Sequence, residues 1–143
     1  MTRKKRVVIL EDDPLSNALL SLMMTNKGYE VFTYENPTIC PLQPTPACRC
    51  DENERCTDII LSDLHMPGMT GLDYFTTQRA KGCKCQNIAL VTDDINIDVA
   101  KKATNLSCQL FSKPFDAKEL SSWLNNIEQD FDDKVTLTNW FQE

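Results

Sequence analysis

The residues with the clearest chemical potential are acidic and follow short apolar runs. Glu11 and Asp12 come directly after a run that ends at Leu10, and Asp63 comes directly after another run that ends at Ser62. If both runs are parallel strands, their carboxyl ends lie at the same edge of a sheet and the carboxylates meet there. Such carboxylates repel one another unless a cation joins them, and oxygen ligands with room left for water suit Mg²⁺ or Mn²⁺.

A hydroxyl and an ammonium group are expected at the same edge. Thr92 ends a further apolar run, and Lys113 follows the last one. A metal ion and Lys113 can neutralise the oxygens of a phosphoryl group, Thr92 can donate to one of them, and a carboxylate can attack the phosphorus. Each residue type also has an ordinary role, and Asp13 before Pro14 is expected to cap a helix. It is the conjunction, in this strand order, that indicates phosphoryl chemistry.

The elements that must position these residues are apolar runs that alternate with amphipathic stretches. Runs rich in Val, Ile and Leu without strict alternation are typical of strands buried on both faces. The alternation with helices predicts a parallel α/β sheet with right-handed crossovers, covered on both sides. The five predicted strands are Arg6–Leu10, Tyr29–Tyr34, Asp58–Ser62, Ile88–Thr92 and Cys108–Phe111.

Apolar spacing marks two of the helices. One core-facing stripe is predicted to consist of Leu15, Leu19, Leu22 and Met23, at i, i+4, i+7 and i+8. The other consists of Ala117, Leu120, Leu124, Ile127 and Phe131, behind a capping box at Asp116 and Glu119. Gly28 and Gly82 lie where a left-handed cap would end a helix.

The segment from Asn36 to Thr57 breaks this alternation. It contains Pro37, Pro41, Pro44 and Pro46, which exclude a regular helix over most of its length. A helix would be expected between the second and third strands. We predict that a proline- and cysteine-rich loop replaces it.

Length and composition are those of one globular domain, with 143 residues, 41% of them hydrophobic and 25% charged. The net charge of −6 disfavours direct nucleic-acid binding and attraction to an anionic membrane. No apolar run approaches the ~20 residues that a membrane span needs. We expect a cytoplasmic protein with one domain at residues 1–131 and a tail at 132–143 that is too short for an output domain.

The acidic and polar residues fall into motifs that resemble the response-regulator receiver domain of two-component signalling. These motifs are Glu11-Asp12, the segment Asp63-Leu-His-Met-Pro-Gly-Met-Thr-Gly71, Thr92 and Lys113-Pro114. The resemblance runs from about Arg6 to Phe131. It implies a flavodoxin-like (βα)5 sandwich with strand order 2-1-3-4-5.

The resemblance also implies roles for the acidic residues. Asp63 would be the phosphoacceptor that attacks the phosphohistidine of a sensor histidine kinase or of a phosphotransfer protein. Asp12 would bind Mg²⁺ directly, Glu11 would help through water, and the backbone carbonyl of His65 would complete the protein ligands. Such a domain is no enzyme in the usual sense, because it catalyses only its own phosphorylation and dephosphorylation.

Further roles follow for the other motif residues. Thr92 would contact the phosphoryl group and move on phosphorylation. Lys113 would pair with Asp63 or with the phosphoryl oxygen, and its bond to Pro114 would be cis. His65 and Asp94 occupy positions that tune hydrolysis of the acyl phosphate in the family.

One position departs from the family pattern. The family usually couples the threonine movement to a rotating aromatic residue three positions before the lysine, and here that residue is Leu110. Phe111 is one residue later and should face the opposite side of the sheet. Either Leu110 simply packs in the core, or the output does not use the rotation of an aromatic residue; we expect phosphorylation to be unaffected in both cases.

The seven cysteines are the second departure. A cytosolic location disfavours disulfides, and an odd number cannot pair completely. In this fold the starts of the third, fourth and fifth strands lie side by side, so Cys56, Cys83, Cys85 and Cys108 can converge, with Cys48 and Cys50 close by. Four thiolates would suit Zn²⁺ better than an iron–sulfur cluster, and the preferred ligands are Cys48, Cys50, Cys83 and Cys85. The alternatives are a labile disulfide and thiols that only fill the core.

Three functional hypotheses remain. The leading one is a phosphorylated module that changes its contacts with an unidentified downstream protein through the face around the fifth strand. The second is a thiol or metal sensor on a receiver scaffold. The third is an aspartyl phosphohydrolase, which ranks last because His65 stands where that chemistry needs a second acid.

Overall fold

The computed structural model describes residues 3–35, 54–114, 116–131 and 134–137. At its centre is a parallel sheet of five strands: β1 (Lys5–Leu10), β2 (Tyr29–Tyr34), β4 (Ile59–Ser62), β5 (Asn87–Thr92) and β6 (Gln109–Ser112). Their order is β2-β1-β4-β5-β6, and every neighbouring pair is parallel. Numbered within this sheet alone, the strands have the order 2-1-3-4-5. The prediction of a flavodoxin-like sheet with that order is therefore confirmed.

Within the described ranges, four helices cover the sheet: α1 (Pro14–Asn26), α2 (Gly71–Ala80), α3 (Ile97–Asn105) and α4 (Ala117–Glu128). Alternate residues of β1 enter two separate hydrophobic clusters, with Val8 and Leu10 in one and Val7 and Ile9 in the other. A strand covered on both faces needs apolar residues at every position. This is why the central strands show no alternation of polar and apolar residues.

The predicted residues cap the ends of α1, α2 and α4. The Asp13 side chain accepts a hydrogen bond from the Ser16 backbone N–H, and Pro14 occupies the first turn. Gly28 and Gly82 follow helices with φ of +90° and +85°. Asp116 caps α4 by accepting from the Lys118 N–H.

The predicted core stripe of α1 is wrong. Leu15, Leu19 and Leu22 are 68%, 45% and 58% exposed, whereas Leu20 and Met24 are buried. The packing partners on β1 and β2 decide which helix face turns inward, and the helix had two candidate apolar faces. Of the predicted residues on this helix, only Met23 packs against the core, and it is partly buried.

The α4 stripe is confirmed in its central part. Leu120 and Leu124 are buried, and Ile127 and Phe131 pack against them with partial burial. Ala117 is exposed, because it lies in the first turn of the helix, where the chain arrives from the edge of the sheet.

The predicted loop at 36–57 lies mostly outside the described residues. Its described end contains a short strand, β3 (Glu54–Arg55), which pairs in parallel with β7 (Thr136–Leu137). The sequence predicted no strand in either segment, because two residues are too few to give a periodic signal. Among the described helices, none is both long and apolar enough to cross a membrane.

Candidate functional site

The carboxyl ends of four strands bring the candidate residues together. Glu11 follows β1, Asp63 follows β4, Thr92 ends β5 and Lys113 follows β6. Backbone hydrogen bonds continue the sheet one residue beyond the strands. The Asp63 N–H donates to the Leu10 carbonyl at 2.9 Å, and the Lys113 N–H donates to the Thr92 carbonyl at 2.9 Å. The predicted residues therefore lie on rigid backbone.

The three carboxylates form one cluster. Glu11, Asp12 and Asp63 each offer an oxygen, and these oxygens lie within 4.8 Å of one another. Glu11 and Asp63 are buried, and Asp12 is exposed. Among the described residues, Glu11 Oε2 makes no well-directed hydrogen bond although it is buried. Carboxylate oxygens with one solvent-facing member fit a hard divalent cation that keeps part of its water.

The ammonium group of Lys113 adjoins this cluster. Lys113 Nζ lies 3.0 Å from Glu11 Oε2 and 3.3 Å from Asp63 Oδ2. Burial alone would lower the pKa of Lys113, but hydrogen bonds and charges from Glu11 and Asp63 outweigh it, and the pKa is raised. Burial raises the pKa of Glu11 from 4.5 to about 7, although the hydrogen bond from Lys113 opposes the rise.

The loop after β4 orients Asp63. The Leu64 N–H donates to Asp63 Oδ1 at 2.8 Å, which leaves Oδ2 on the side of Lys113. The Gly71 N–H in turn donates to the Leu64 carbonyl at 2.9 Å. A Cβ at Gly71 would collide with the Asp63 carbonyl oxygen and with the Ser62 and Leu90 side chains. Gly71 is thus a positioning residue. The sequence showed it only as the last letter of the motif.

Thr92 ends β5, the strand that pairs with β4, and a loop follows it. Thr92 is fully buried, and its Oγ1 accepts a hydrogen bond from the Asp94 N–H at 3.1 Å. The Asp94 carboxylate lies 2.7 Å from His65 Nε2, so one contact joins the loops that follow β4 and β5. This hydrogen bond with His65 holds the pKa of Asp94 below its ordinary value.

The two residues at the switching position of β6 face opposite sides of the sheet, as predicted. Leu110 packs against the cluster that contains Val8 and Leu10. Phe111 is buried in the other cluster, where its ring meets Trp123 edge-on at a centroid distance of 5.6 Å. Phe111 therefore cannot replace the aromatic residue that the family carries at position 110. The Lys113–Pro114 bond is cis, as the resemblance implied.

The cysteine prediction is met only in part. Cys56, Cys83, Cys85 and Cys108 are all buried in one hydrophobic cluster. The sulfur atoms of Cys56 and Cys83 are in contact, and among the described residues no three cysteines have sulfur atoms within 4.8 Å of one another. Of the preferred zinc ligands, Cys48 and Cys50 lie outside the described residues. The described part of the chain gives no support to a zinc site.

The fold and the site together define a parallel α/β sandwich with an acidic, cation-compatible edge. The profile described as "Response regulator receiver domain" matches residues 7–125, which is most of the chain. The protein belongs to the response regulator receiver domain family of two-component signalling. Phosphorylation on aspartate is the general property of this family, whose members are phosphoacceptors and not enzymes in the ordinary sense.

Individual proteins show the same likeness. The chain is 27% identical over 131 residues to the two-component response regulator ORR21 of Oryza sativa, covering 90% of this chain and 18% of that protein. It is 28% identical over 120 residues to the DNA-binding response regulator MtrA of Mycolicibacterium smegmatis, covering 83% of this chain and 48% of that protein. The chain therefore spans less than half the length of these relatives.

Solved structures share the fold. A response regulator receiver protein from Pseudomonas putida superposes with a TM-score of 0.72 at 20% identity, over 88% of this chain and 99% of that one. The chemotaxis protein CheY4 of Vibrio cholerae superposes with a TM-score of 0.69 at 21% identity, over 87% and 99% of the two chains.

Proposed function

We propose that Asp63 accepts a phosphoryl group from a sensor histidine kinase or a phosphotransfer protein, and that the phosphorylated protein changes its contacts with a downstream protein. The observation that carries this proposal is the position of the Asp63 carboxylate, which has an oxygen within 4.8 Å of oxygens of Glu11 and Asp12 and which lies 3.3 Å, at Oδ2, from the Lys113 ammonium. An acceptor oxygen there has negative neighbours that can hold a cation and a positive neighbour that can hold phosphoryl oxygens.

Four groups would hold Mg²⁺: the carboxylates of Glu11, Asp12 and Asp63 and the backbone carbonyl of His65. The carboxylate cluster fits a divalent ion by its donor type and spacing. When bound, the ion neutralises phosphoryl oxygens and lets them approach an anionic nucleophile. Glu11 must be ionised to take part, and its contact with Lys113 favours that form.

The transfer step uses the Asp63 carboxylate, the Lys113 ammonium and the Thr92 hydroxyl. An Asp63 carboxylate oxygen forms a bond to phosphorus as the bond from phosphorus to the donor imidazole nitrogen breaks, and that nitrogen keeps the electron pair. Lys113 moves from the carboxylate to a phosphoryl oxygen, since its Nζ already lies between Asp63 and Glu11. The Thr92 hydroxyl donates to a second phosphoryl oxygen.

Switching follows from the Thr92 movement. In the unphosphorylated protein the Thr92 hydroxyl accepts a hydrogen bond from the Asp94 N–H. When the hydroxyl turns towards the phosphoryl group, this hydrogen bond breaks and the loop that joins β5 to α3 is released. Leu110 packs against the cluster that contains Leu90 and Val99, and it has no ring to rotate. We propose that the loop itself, together with its contact between His65 and Asp94, transmits the change to the surface around β6.

Intact mass spectrometry with acetyl phosphate tests the acceptor. The Mg²⁺-containing sample is expected to gain one phosphoryl mass, and the gain is expected to vanish with EDTA and in Asp63→Asn. Asp93→Asn, an exposed carboxylate outside the cluster, serves as the matched control and should label normally. Persistent labelling of Asp63→Asn would contradict the proposal.

The donor protein is proposed to sit on α1. Leu15, Leu19 and Leu22 form an exposed apolar stripe, and this helix starts two residues after Asp12. Its sequence, PLSNALLSLMMTN, contains no charged residue. An apolar patch that borders a reactive edge is typical of a protein interaction surface. A donor helix that covers the stripe can bring its phosphohistidine to Asp63.

Replacing Leu15 or Leu19 with Ser is expected to slow phosphotransfer from a histidine phosphotransfer protein by roughly tenfold, because each leucine contributes on the order of 1–2 kcal/mol of buried contact. Labelling by acetyl phosphate should stay unchanged, since it needs no docked protein. An exposed control on another helix is Thr104→Ala. Equal losses with both donors would show that the substitutions act on the site and not on docking.

A further inference from the structure

Two buried thiols face each other at the edge of the sheet opposite Asp63. Cys56 Sγ lies 3.7 Å from Cys83 Sγ. Cys56 is fully buried and Cys83 is 7% exposed. Cys56 lies three residues before β4, and Cys83 lies four residues before β5. The pair therefore joins the starts of the two strands whose opposite ends carry Asp63 and Thr92.

We propose that Cys56 and Cys83 form a redox-active pair that closes to a disulfide when the protein meets a peroxide and reopens with a thiol reductant. The observation that carries this proposal is the contact between the two sulfur atoms, which lie next to each other in one buried hydrophobic cluster.

The surrounding backbone permits the closure. A disulfide bond is about 2.05 Å long, so the sulfur atoms must approach by about 1.7 Å. Residues 83–86 belong to neither a helix nor a strand, and Cys56 lies in a bend between β3 and β4. Small torsional changes in these connections can supply the approach without disturbing the sheet.

The disulfide would form in two steps, and the exposure of the two thiols decides which one reacts first. The Cys83 thiolate attacks one peroxide oxygen, the O–O bond breaks, and Cys83 becomes a sulfenic acid while hydroxide leaves and takes a proton to form water. The Cys56 thiolate then attacks the Cys83 sulfur, the S–O bond breaks, and a second water leaves. One peroxide is thus reduced to two waters while two thiols become one disulfide. Cys83 goes first because Cys56 has no exposed surface.

The cross-link would join residues 27 positions apart and close a loop that contains Asp63 and all of α2. Closing a loop of this length restricts the unfolded chain, so the oxidised protein should be more stable. The acceptor carboxylate lies at the other edge of the sheet, so its chemistry stays intact. We expect oxidation to stiffen β4 and β5 relative to each other while Asp63 remains reactive.

Peptide mapping after mild hydrogen peroxide tests this pair directly. The reduced protein is expected to lose two hydrogens in mass, to yield a linked peptide pair containing Cys56 and Cys83, and to gain roughly 5–10 °C in Tm, all reversed by dithiothreitol. Cys56→Ala and Cys83→Ala should each abolish the linked peptide. Cys108→Ala is the matched control, since Cys108 is also buried in the same cluster, and should keep the linked peptide.

Two results would overturn the assignment. One is a disulfide mapped to any other pair while Cys56 and Cys83 remain alkylatable. The other is a metal ion retained by the purified protein and lost in Cys56→Ala and Cys83→Ala. Because both variants replace a small buried side chain, circular dichroism of each must first match the wild type. If either is unfolded, the wild-type peptide map alone decides.

Discussion

At the scale of single residues, the fold controls the charge of Glu11, one of the three clustered carboxylates. Burial raises its pKa to about 7, from an ordinary 4.5. In the absence of Mg²⁺, the unfolded chain loses this proton near pH 4.5, but the folded protein keeps it until about pH 7. The folded state binds more protons in that window, so the free energy of unfolding falls as the pH rises through it.

Mg²⁺ is expected to reverse this loss because it binds the ionised carboxylate. The rise in Tm on adding Mg²⁺ should therefore be larger at about pH 8 than at about pH 5.5, where the bound proton competes with the ion. Differential scanning fluorimetry at both pH values measures the difference. Glu11→Gln should remove most of the difference between the two pH values. An equal Mg²⁺-induced rise in Tm at both pH values in the wild type would refute the role of Glu11.

Gly71 is required by a close approach and not by an unusual backbone angle. A methyl group there would meet backbone and side-chain atoms next to Asp63. Gly71→Ala should lower the free energy of unfolding by about 2–3 kcal/mol, measured by urea unfolding. Gly28→Ala is the control: its φ is +90° but its Cβ would meet nothing within 4 Å, so the loss should be near 1 kcal/mol. A smaller loss at Gly71 than at Gly28 would contradict this reading.

At the scale of elements, α1 shows what a single sequence can and cannot specify. Its bounds follow from Asp13, Pro14 and Gly28, which act locally and are readable from residue type. Its inward face does not follow, because the helix carries apolar residues on two faces. Only packing against β1 and β2 selects Leu20 and Met24 for the core.

The choice of face has a direct test in stability. Leu20→Ala should lower the free energy of unfolding by about 2–4 kcal/mol, because it removes a buried side chain. Leu19→Ala, one position away and 45% exposed, should change it by less than about 0.5 kcal/mol. Urea unfolding of the two variants compares them under the same conditions. A larger effect at Leu19 would restore the stripe first predicted from the spacing.

The strands were the most predictable elements. Their apolar runs are fixed by burial on both faces, and the observed bounds differ from the predicted ones by at most one residue at each end. The β3–β7 pair was beyond prediction, since it joins two residues to two others about eighty positions away. Such a contact has no local signal in the sequence.

At the scale of the whole molecule, the parallel sheet separates two kinds of chemistry. Its carboxyl edge gathers Glu11, Asp63, Thr92 and Lys113, and its amino edge holds the Cys56–Cys83 pair. The carboxyl edge was predictable because parallel strands bring residues that follow them to one place. For the thiols, the sequence predicted only the part of the fold in which they lie. It did not predict which two are in contact, because both cysteines lie in segments without helix or strand.

The most direct test of the central claim is to locate the acyl phosphate itself. The protein is phosphorylated with acetyl phosphate and Mg²⁺, reduced with borohydride, which converts an aspartyl phosphate to homoserine, and mapped by peptide mass spectrometry. We expect homoserine at position 63 alone. Homoserine at Asp12 or Asp13, or a labelled protein with unmodified Asp63, would contradict the assignment of the phosphoacceptor.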